Sequence, residues 1–460
     1  MTIKYKNDKN DYFFIEKWIT IILKERICKE INIEFNPKVR KWILSIFNEN
    51  IFFFPIFDDL YKLGYQQNLP CSIINITKKA FIDCDKKISA PGLENNTKKL
   101  YLKKNDQIHF NYDVIGLIYW ILSRSEEVNA PDQILDNHNR FSVTLSHAYL
   151  HKYLDEPIVD QWINILRDFI KYFFPRLELT KNNFSFVITH DVDRPSKYKF
   201  ANTNETFRHI FYNIFKKPSI KELKIIAKSK FLNSSKLYSE DPYNTFDWLL
   251  KVNDENNIKS IFYFLFSNKT TNIDPSYKLD SPAINDLIKK LIERNNIIGL
   301  HSSYKSQYDF KLLNREVRFY KNVLNQNHIR NYDLHHRSHY LRWRSPHSAE
   351  NLSELDINYD STLGYSQIPG FRCGTCIPYK MINPINKRIL KIIQKPLIVM
   401  DDNILGNFNL YDPNYVEKCI SKLKFYKEKV KKVKGEFNIL WHNCNLVSPE
   451  QKQIYESLIK

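Results

Sequence analysis

Acidic and histidine side chains follow three apolar segments of the sequence, and both side-chain types bind metal ions and transfer protons. Asp191 and Asp193 come directly after the first segment, His301 after the second and His442 after the third. Short apolar runs rich in β-branched and aromatic residues are typical of buried strands. Because the carboxyl ends of barrel strands carry the chemistry, we predict that the four side chains share one site. The segments are residues 184–189, 296–300 and 437–441.

Two carboxylates that stand two residues apart after a buried strand are costly unless they are paired or bound to a metal. Asp191 and Asp193 are spaced so that one could be a metal ligand and the other a general base beside it. The structural alternative is an acidic turn that caps a helix. A single histidine at a strand end is more often structural, but three strands that each end in Asp or His favour a shared site.

The elements that would position these residues alternate between strands and helices. This order predicts an α/β fold with a parallel sheet or barrel. The predicted strands are residues 184–189, 260–266, 296–300, 397–400 and 437–441. The predicted helices of this part are residues 245–252, 281–294, 314–324 and 413–433.

Residues 1–180 are predicted to form a separate N-terminal α+β domain, with helices over residues 113–128 and 158–174. The polar stretch that begins at Thr180 marks the predicted boundary, and residues 184–460 form the second domain. Residues 195–244 are a lysine-rich, partly helical insertion after the first strand of that domain. Insertions at this place often form a lid or a substrate wall.

The composition excludes several classes of protein. The 460 residues carry a net charge of +18, but the positive charge is spread along the chain and no nucleic-acid motif is present. No signal peptide is recognisable, and no apolar run approaches the roughly 20 residues that span a bilayer. The seven cysteines are too few for a disulfide scaffold, so a reduced, cytoplasmic protein is expected.

The motifs resemble those of the polysaccharide deacetylases, a family of metal-dependent carbohydrate esterases with a distorted (β/α) barrel. The segment that ends in Asp191-Val192-Asp193 resembles the first family motif, which makes Asp191 the general base and Asp193 a metal ligand. His301 and Ser302 resemble the start of the second motif, His-Ser/Thr-x-x-His, which supplies two ligands. Lys305 stands where the second of these histidines is expected. The resemblance implies a divalent metal, with zinc as the expected ion.

Three further segments resemble the later motifs of the family. Arg337 stands in the position of an arginine that orients the base, and His339 is a candidate for the missing ligand or else a hydrogen-bonded side chain. Asp360 resembles part of the fourth motif. His442 resembles the histidine of the last motif, which is the general acid. The residues expected to contact the substrate are Tyr304, Arg342, Asp360 and Arg372.

The segment Gly370-Phe371-Arg372-Cys373-Gly374-Thr375 resembles a loop of a bacterial subgroup that carries an extra N-terminal domain and is associated with surface polysaccharide biosynthesis. Cys373 and Cys376 also fit a redox or zinc motif, although a nearby proline favours a loop. Asp401 and Asp402 follow an apolar run and could belong to the site or cap a helix.

The predicted function is that of a hydrolase that removes an N- or O-acyl group from a sugar, so an amino sugar or glycan is the expected partner. The alternative is a non-catalytic glycan-binding module on a degenerate deacetylase fold, which Lys305 favours. A third interpretation is a metal-dependent glycoside hydrolase. Asp191 and His442 argue against a pure binding module, because binding needs neither a base nor an acid.

Overall fold

The structure is a computed structural model of the chain. It describes residues 9–76, 86–94, 99–232, 235–267, 271–274, 277–278, 280–329 and 332–459. Among the described helices, none has the length and apolarity that crossing a bilayer requires.

The N-terminal region contains helices and mostly antiparallel strands. Its helices are α1 (Lys9–Arg26), α2 (Val114–Leu122), α3 (His147–Leu150) and α4 (Ile158–Phe173). Its strands are β1 (Ile31–Asn36), β2 (Lys41–Ile46), β3 (Glu49–Phe54), β4 (Cys71–Ile76), β5 (Lys86–Pro91), β6 (Tyr101–Lys104) and β7 (Gln107–Phe110). One sheet has the order β1-β2-β3-β7-β6, and β4 pairs with β5.

The remaining strands form a single nine-stranded sheet with the order β13-β14-β12-β11-β10-β9-β8-β16-β15. Its strands are β8 (Ser185–Asp191), β9 (Ser260–Leu265), β10 (Ile297–Ser302), β11 (His335–Ser338), β12 (Tyr359–Asp360), β13 (Tyr379–Asn383), β14 (Arg388–Gln394), β15 (Val399–Met400) and β16 (Glu436–Leu440). All neighbouring strands are parallel except β13 and β14. The prediction of an α/β unit with a parallel sheet is confirmed.

Helices separate and follow the strands of this sheet. They are α5 (Thr203–Phe211), α6 (Ile220–Ala227), α7 (Phe246–Glu255), α8 (Pro282–Glu293), α9 (Phe310–Gln326), α10 (His347–Glu354), α11 (Asp401–Leu405), α12 (Tyr415–Lys432) and α13 (Pro449–Ile459). Every residue of β9 is buried, as expected for a strand covered on both faces. The backbone N–H of Leu397 donates to the carbonyl of Leu363, which follows β12, and the N–H of Ile398 donates to the carbonyl of Asn438 in β16, on the other side of the sheet order. These bonds curl the sheet.

Buried polar contacts join the N-terminal region to the nine-stranded sheet. Asp160 of α4 accepts hydrogen bonds from Arg26 (2.8 Å), the Thr375 hydroxyl (2.6 Å) and the Cys376 backbone N–H (2.9 Å). A buried carboxylate is tolerated because it is paired and hydrogen-bonded. The N-terminal region is therefore anchored on the loop that follows Gly370, whereas the division of the chain into two domains stays a prediction.

His147 of the N-terminal region is expected to couple stability to pH. Burial, and then the neighbouring His151, lower the pKa of His147 from 6.5 to about 3. Between these values the unfolded chain binds a proton that the folded chain does not, so the stabilisation is complete above pH 6.5 and is lost as the pH falls toward 3. The free energy of unfolding should fall by about 1.4 kcal/mol per pH unit from this group.

The measurement is denaturant unfolding at several pH values, with the slopes of the wild-type protein and His147→Gln compared. The free energy of unfolding of His147→Gln should fall less steeply with decreasing pH than that of the wild-type protein. His328→Gln, at an exposed histidine, is the control. Equal slopes for the wild-type protein and His147→Gln would show that His147 titrates normally in the folded state.

Candidate metal centre and catalytic cavity

The four side chains that the sequence assigns to one site do converge, in a cavity of about 340 Å³ at the carboxyl edge of the sheet. Asp191 ends β8, His301 lies in β10 and His442 follows β16. Parallel pairing of the strands puts these ends on the same side, although the residues are remote in sequence. The cavity is lined by Arg140, Asp191, Asp193, His301, His339, Tyr340, Leu341, Ser366, Met400, Asp402, Leu440 and His442.

Three imidazole rings surround the carboxylate of Asp193. The Nε2 atom of His301 lies 3.4 Å from Asp193 Oδ1, and the Nε2 atoms of His339 and His442 lie 3.6 Å and 3.7 Å from Oδ2. His339 begins the turn that follows β11, so its strand pairs directly with the strand of His301. This pairing explains how a residue far along the chain reaches Asp193.

The opposite nitrogen of each ring is held by a hydrogen-bond acceptor. His301 Nδ1 lies 2.9 Å from the Arg337 carbonyl, so the Nδ1–H donates and Nε2 faces the cavity. His339 Nδ1 lies 3.2 Å from Asp274 Oδ1, and His442 Nδ1 lies 2.9 Å from Asp401 Oδ1. Acceptors of this kind fix the ring orientation and the tautomer of metal-binding and catalytic histidines.

The charges of the cluster are strongly coupled. Burial by itself would raise the pKa of Asp193, but the charge and hydrogen bond of His339, together with His301, hold it well below its usual range. Burial would lower the pKa of His339, whereas Asp193 and Asp274 raise it to about 9. Burial would also lower the pKa of His442, but the carboxylate of Asp401 raises it well above 6.5. The carboxylates of the cluster therefore stabilise positive charge beside them, and a bound cation could take the place of the protons on the histidines.

The residues of the cluster fit a divalent metal ion. One ligand atom from each of Asp193, His301 and His339 lies within 4.8 Å of the others. Asp193 Oδ1 is buried and has no hydrogen-bond partner among the described residues. One carboxylate and two imidazoles are a ligand set that zinc takes, with a fourth position left open. Lys305 is exposed, so the second-motif position supplies no ligand.

Metal affinity is expected to depend on His339 and not on Lys305. His339→Ala removes one of three protein ligands and should weaken zinc binding by more than about 100-fold, since even loss of a residue behind a ligand costs about 10–100-fold. Lys305→Ala, the matched control, should bind zinc like the wild-type protein. Calorimetric titration of the metal-free proteins with zinc measures both affinities. Unchanged affinity of His339→Ala would assign the third ligand to another residue.

Arg337 holds the carboxylate of Asp191 in place. Arg337 Nη1 lies 2.9 Å from Asp191 Oδ1 and 2.7 Å from the hydroxyl of Thr189, and the guanidinium stacks 4.6 Å from the Tyr263 ring centroid. The ring can lie there because the neighbouring strand has Gly299, where a Cβ would come within 2.5 Å of it. The arrangement leaves the second carboxylate oxygen of Asp191 3.6 Å from His301 Nε2, at the cavity.

Two of the predicted substrate contacts lie near the cavity wall. The Arg342 guanidinium packs 3.8 Å from the ring centroid of Tyr304 and donates to the carbonyl of His138 at 2.9 Å. The Tyr304 hydroxyl lies 3.1 Å from His138 Nδ1. Both side chains therefore bind the loop that precedes Arg140, and their predicted contact with substrate stays a prediction.

The structure places the other two predicted contacts away from the cavity. Both side chains of Arg372 and Glu127 are 2% exposed, and they form a double hydrogen bond of 3.0 Å. Asp360 is fully buried and accepts from the Thr362 hydroxyl at 2.6 Å. Protein groups already bind both side chains, and neither residue is among those that line the cavity, so their predicted contact with substrate stays a prediction without support from the geometry.

The structure adds residues that the sequence interpretation missed, and one that it left open, Asp401. Asp274 and Asp401 hold the rings of His339 and His442, and only the Asp401-Asp402 pair after an apolar run gave a signal. Arg140 comes from the N-terminal region, where its Nε donates to Asp136 at 2.7 Å and its Nη1 to the Tyr340 carbonyl at 2.8 Å. Nothing in its sequence context pointed to the cavity.

Cys373 and Cys376 are buried free thiols. Burial raises the pKa of Cys373 to about 11, and burial and Asp160 raise that of Cys376 well above 9. Thiols in such surroundings are inert, because the thiolate is the reactive form. The loop interpretation is therefore favoured over a redox or zinc motif.

Comparison with known proteins gives only distant similarities. Residues 2–175 match a family of unknown function, DUF7033. No curated protein matches the chain. A solved structure described as a candidate polysaccharide deacetylase from Mycobacterium smegmatis is similar at 13% identity and a TM-score of 0.38, over 61% of this chain and 84% of that chain. An allantoinase is similar at 10% identity and a TM-score of 0.35, over 60% of this chain and 83% of that chain. Both TM-scores are too low to establish a shared fold.

Proposed function

We propose that the chain is a metal-dependent hydrolase that removes an acyl group from a sugar, with an acylated amino sugar as the leading substrate class. One observation carries the proposal: a carboxylate held by an arginine, a histidine held by a carboxylate and a set of metal ligands all face the same cavity. The choice of a sugar as substrate is supported by the motifs, which resemble those of polysaccharide deacetylases.

The metal would be held by Asp193, His301 and His339. A divalent ion bound there acts as a Lewis acid, polarises an acyl carbonyl and lowers the pKa of water toward about 7. Zinc suits the ligand set, because imidazole and carboxylate are among its preferred ligands. The carboxylate of Asp191 stands beside this set without belonging to it, which leaves it available for proton transfer.

Asp191 and His442 divide the proton transfers of amide hydrolysis. Asp191 accepts the proton of the attacking water, while Arg337 keeps its carboxylate in place. An amine cannot leave as an anion, so His442 donates a proton from Nε2 to the leaving nitrogen. Asp401 holds the ring of His442 through Nδ1 and stabilises its protonated form, as the carboxylate does in other histidine-carboxylate pairs.

Arg140 extends the site into the N-terminal region. Arg140 lines the cavity together with the acidic cluster, and a guanidinium recognises carboxylate, phosphate and hydroxyl groups. We infer that this region takes part in substrate recognition. A role in surface polysaccharide biosynthesis and a cytoplasmic location stay predictions that rest on the sequence.

The proposal is tested by incubating the zinc-loaded protein with N-acetylated amino-sugar oligosaccharides and with O-acetylated sugars. Acetate, free amine and chain length are measured, and Asp191→Asn is the matched control. We expect acetate release without chain cleavage, and none from the control. Cleavage of glycosidic bonds without acetate would indicate a glycoside hydrolase. Glycan binding in calorimetry without turnover of any acylated glycan would indicate a binding module.

A further inference from the structure

The helical insertion after β8 packs around a small core of its own. Tyr198, Ile225 and Ile226 form this core, separate from the main one. None of the residues of α5 is buried. None of the described residues of the insertion is among those that line the catalytic cavity. The described residues of the insertion therefore make no contact with the cavity that would support the predicted lid or substrate wall. Its exposed face has a different role.

That face carries a row of exposed aromatic rings, which we call the aromatic ridge: Phe207, Phe211 and Phe215. Their exposed fractions are 66%, 55% and 67%. They are spaced by four residues along α5 and the π-helical turn that follows, and the rings of Phe211 and Phe215 lie 4.8 Å apart. Other large exposed apolar side chains of the insertion are Tyr212, Ile214, Ile220 and Phe231. Contiguous apolar surface of this kind marks an interaction site.

The same insertion is strongly basic. Residues 195–244 contain nine lysines and one arginine against four acidic residues, a net charge of +6. Among the exposed lysines, Lys216, Lys217 and Lys221 follow the aromatic ridge in sequence. The whole chain carries a net charge of +18, so a second copy would bring like charge to this face. The complementary occupant is an apolar surface with negative charge.

We propose that the aromatic ridge and its lysines dock on the surface of an anionic lipid bilayer. Aromatic rings enter the boundary between headgroups and acyl chains, while lysines remain among the anionic headgroups. A short amphipathic element of this kind binds in the plane of the membrane and does not cross it. The proposal does not depend on the catalytic one.

Docking would also tether the cavity to the lipid surface, because the ends of the insertion are attached beside it. The insertion leaves the sheet directly after Asp193, and its two ends are fastened near His442. Asn443 Nδ2 donates to the carbonyls of Arg194 at 2.8 Å and Tyr243 at 2.7 Å. The end of the insertion is also held by the Thr245 hydroxyl, which donates to the Asn443 carbonyl at 2.8 Å.

The test is co-sedimentation of the full chain with phosphatidylcholine vesicles that contain or lack phosphatidylglycerol. We expect at least about tenfold more binding to the anionic vesicles, because each lysine near the surface adds to the attraction. Added salt should weaken the binding through screening. Phe207→Ser/Phe211→Ser/Phe215→Ser should reduce binding by about tenfold or more, since buried apolar area is lost.

Matched controls separate docking from general attraction by a basic protein. Leu410→Ser/Tyr411→Ser removes apolar side chains that are 64% and 90% exposed elsewhere, and should bind like the wild-type protein. Lys216→Glu/Lys217→Glu/Lys221→Glu should bind less than Lys424→Glu/Lys432→Glu/Lys434→Glu, which changes three exposed lysines of α12 and its following turn.

A tryptophan substitution keeps the apolar surface of the aromatic ridge and gives a second, fluorescent readout of docking. Tryptophan emission of Phe215→Trp should shift to the blue with anionic vesicles and not with neutral ones. The proposal is overturned if the ridge variant binds vesicles like the wild-type protein, or if the two lysine variants lose binding equally. It is also overturned if the wild-type protein does not bind vesicles. Dimerisation of the wild-type protein in sedimentation equilibrium, lost in the ridge variant, would then identify a second copy as the occupant of the ridge.

Discussion

Replacing Asp193 by alanine is expected to abolish metal binding and turnover together. The carboxylate lies between the three imidazole Nε2 atoms, and its Oδ1 has no other partner among the described residues. Without it, two neutral ligands remain, and the negative charge that attracts the cation is reduced. Metal content after gel filtration, measured by atomic emission, should fall from about one zinc per chain to a background level.

The control for this prediction is Asp106→Ala, at a fully exposed aspartate of the N-terminal region. It removes the same charge from the chain without touching the cavity, so its zinc content should match that of the wild-type protein. Retention of one tightly bound zinc by Asp193→Ala would remove Asp193 from the ligand set. The alternative group of Asp401, Asp402 and His442, whose ligand atoms also lie within 4.8 Å of one another, would then be the candidate.

Asp191→Asn is expected to remove turnover and keep the metal. The amide has nearly the shape of the carboxylate and still accepts a hydrogen bond from Arg337, but it cannot take a proton from water. Loss of a general base typically reduces the rate by about 10²–10⁴-fold. Zinc content and the acetate-release rate of the same preparation, measured at saturating substrate, test both parts of the prediction.

Two outcomes would contradict the assignment of the base. Near wild-type turnover by Asp191→Asn would place the base elsewhere, and Asp402 is the candidate, since it lines the cavity and is not one of the proposed ligands. Loss of zinc from the variant would make Asp191 a ligand, since its Oδ2 lies 3.6 Å from His301 Nε2. Unfolding in denaturant should show that the variant is as stable as the wild-type protein.

Much of the sheet could be predicted from the sequence, because its strands are apolar and short. The predicted strand 260–266 corresponds to β9, whose residues are all buried. The strand β11 was missed because it reads His335-His336-Arg337-Ser338, and polar side chains hide a strand from a hydrophobic pattern. All four are buried, and each makes a hydrogen bond through its side chain or its backbone.

The missing metal ligand shows the same limit. The family motif His-Ser/Thr-x-x-His spaces its two histidines four residues apart, a local relation that can be searched for in sequence. In this chain the candidate third ligand is His339, which reaches Asp193 only because β11 pairs in parallel with β10 and sets Arg337 beside His301. Pairing of this kind between strands is a tertiary property.

The sequence by itself determined the alternation of strands and helices and the acidic and histidine residues at strand ends, because these depend on local periodicity and residue type. The tertiary structure alone decided which partner holds each ring, that Arg140 of the N-terminal region enters the cavity, and that Glu127 pairs with Arg372 at 3.0 Å. Hydrogen bonds and ion pairs of buried groups join residues far apart in the chain, and their energies depend on distance and burial that no local pattern contains.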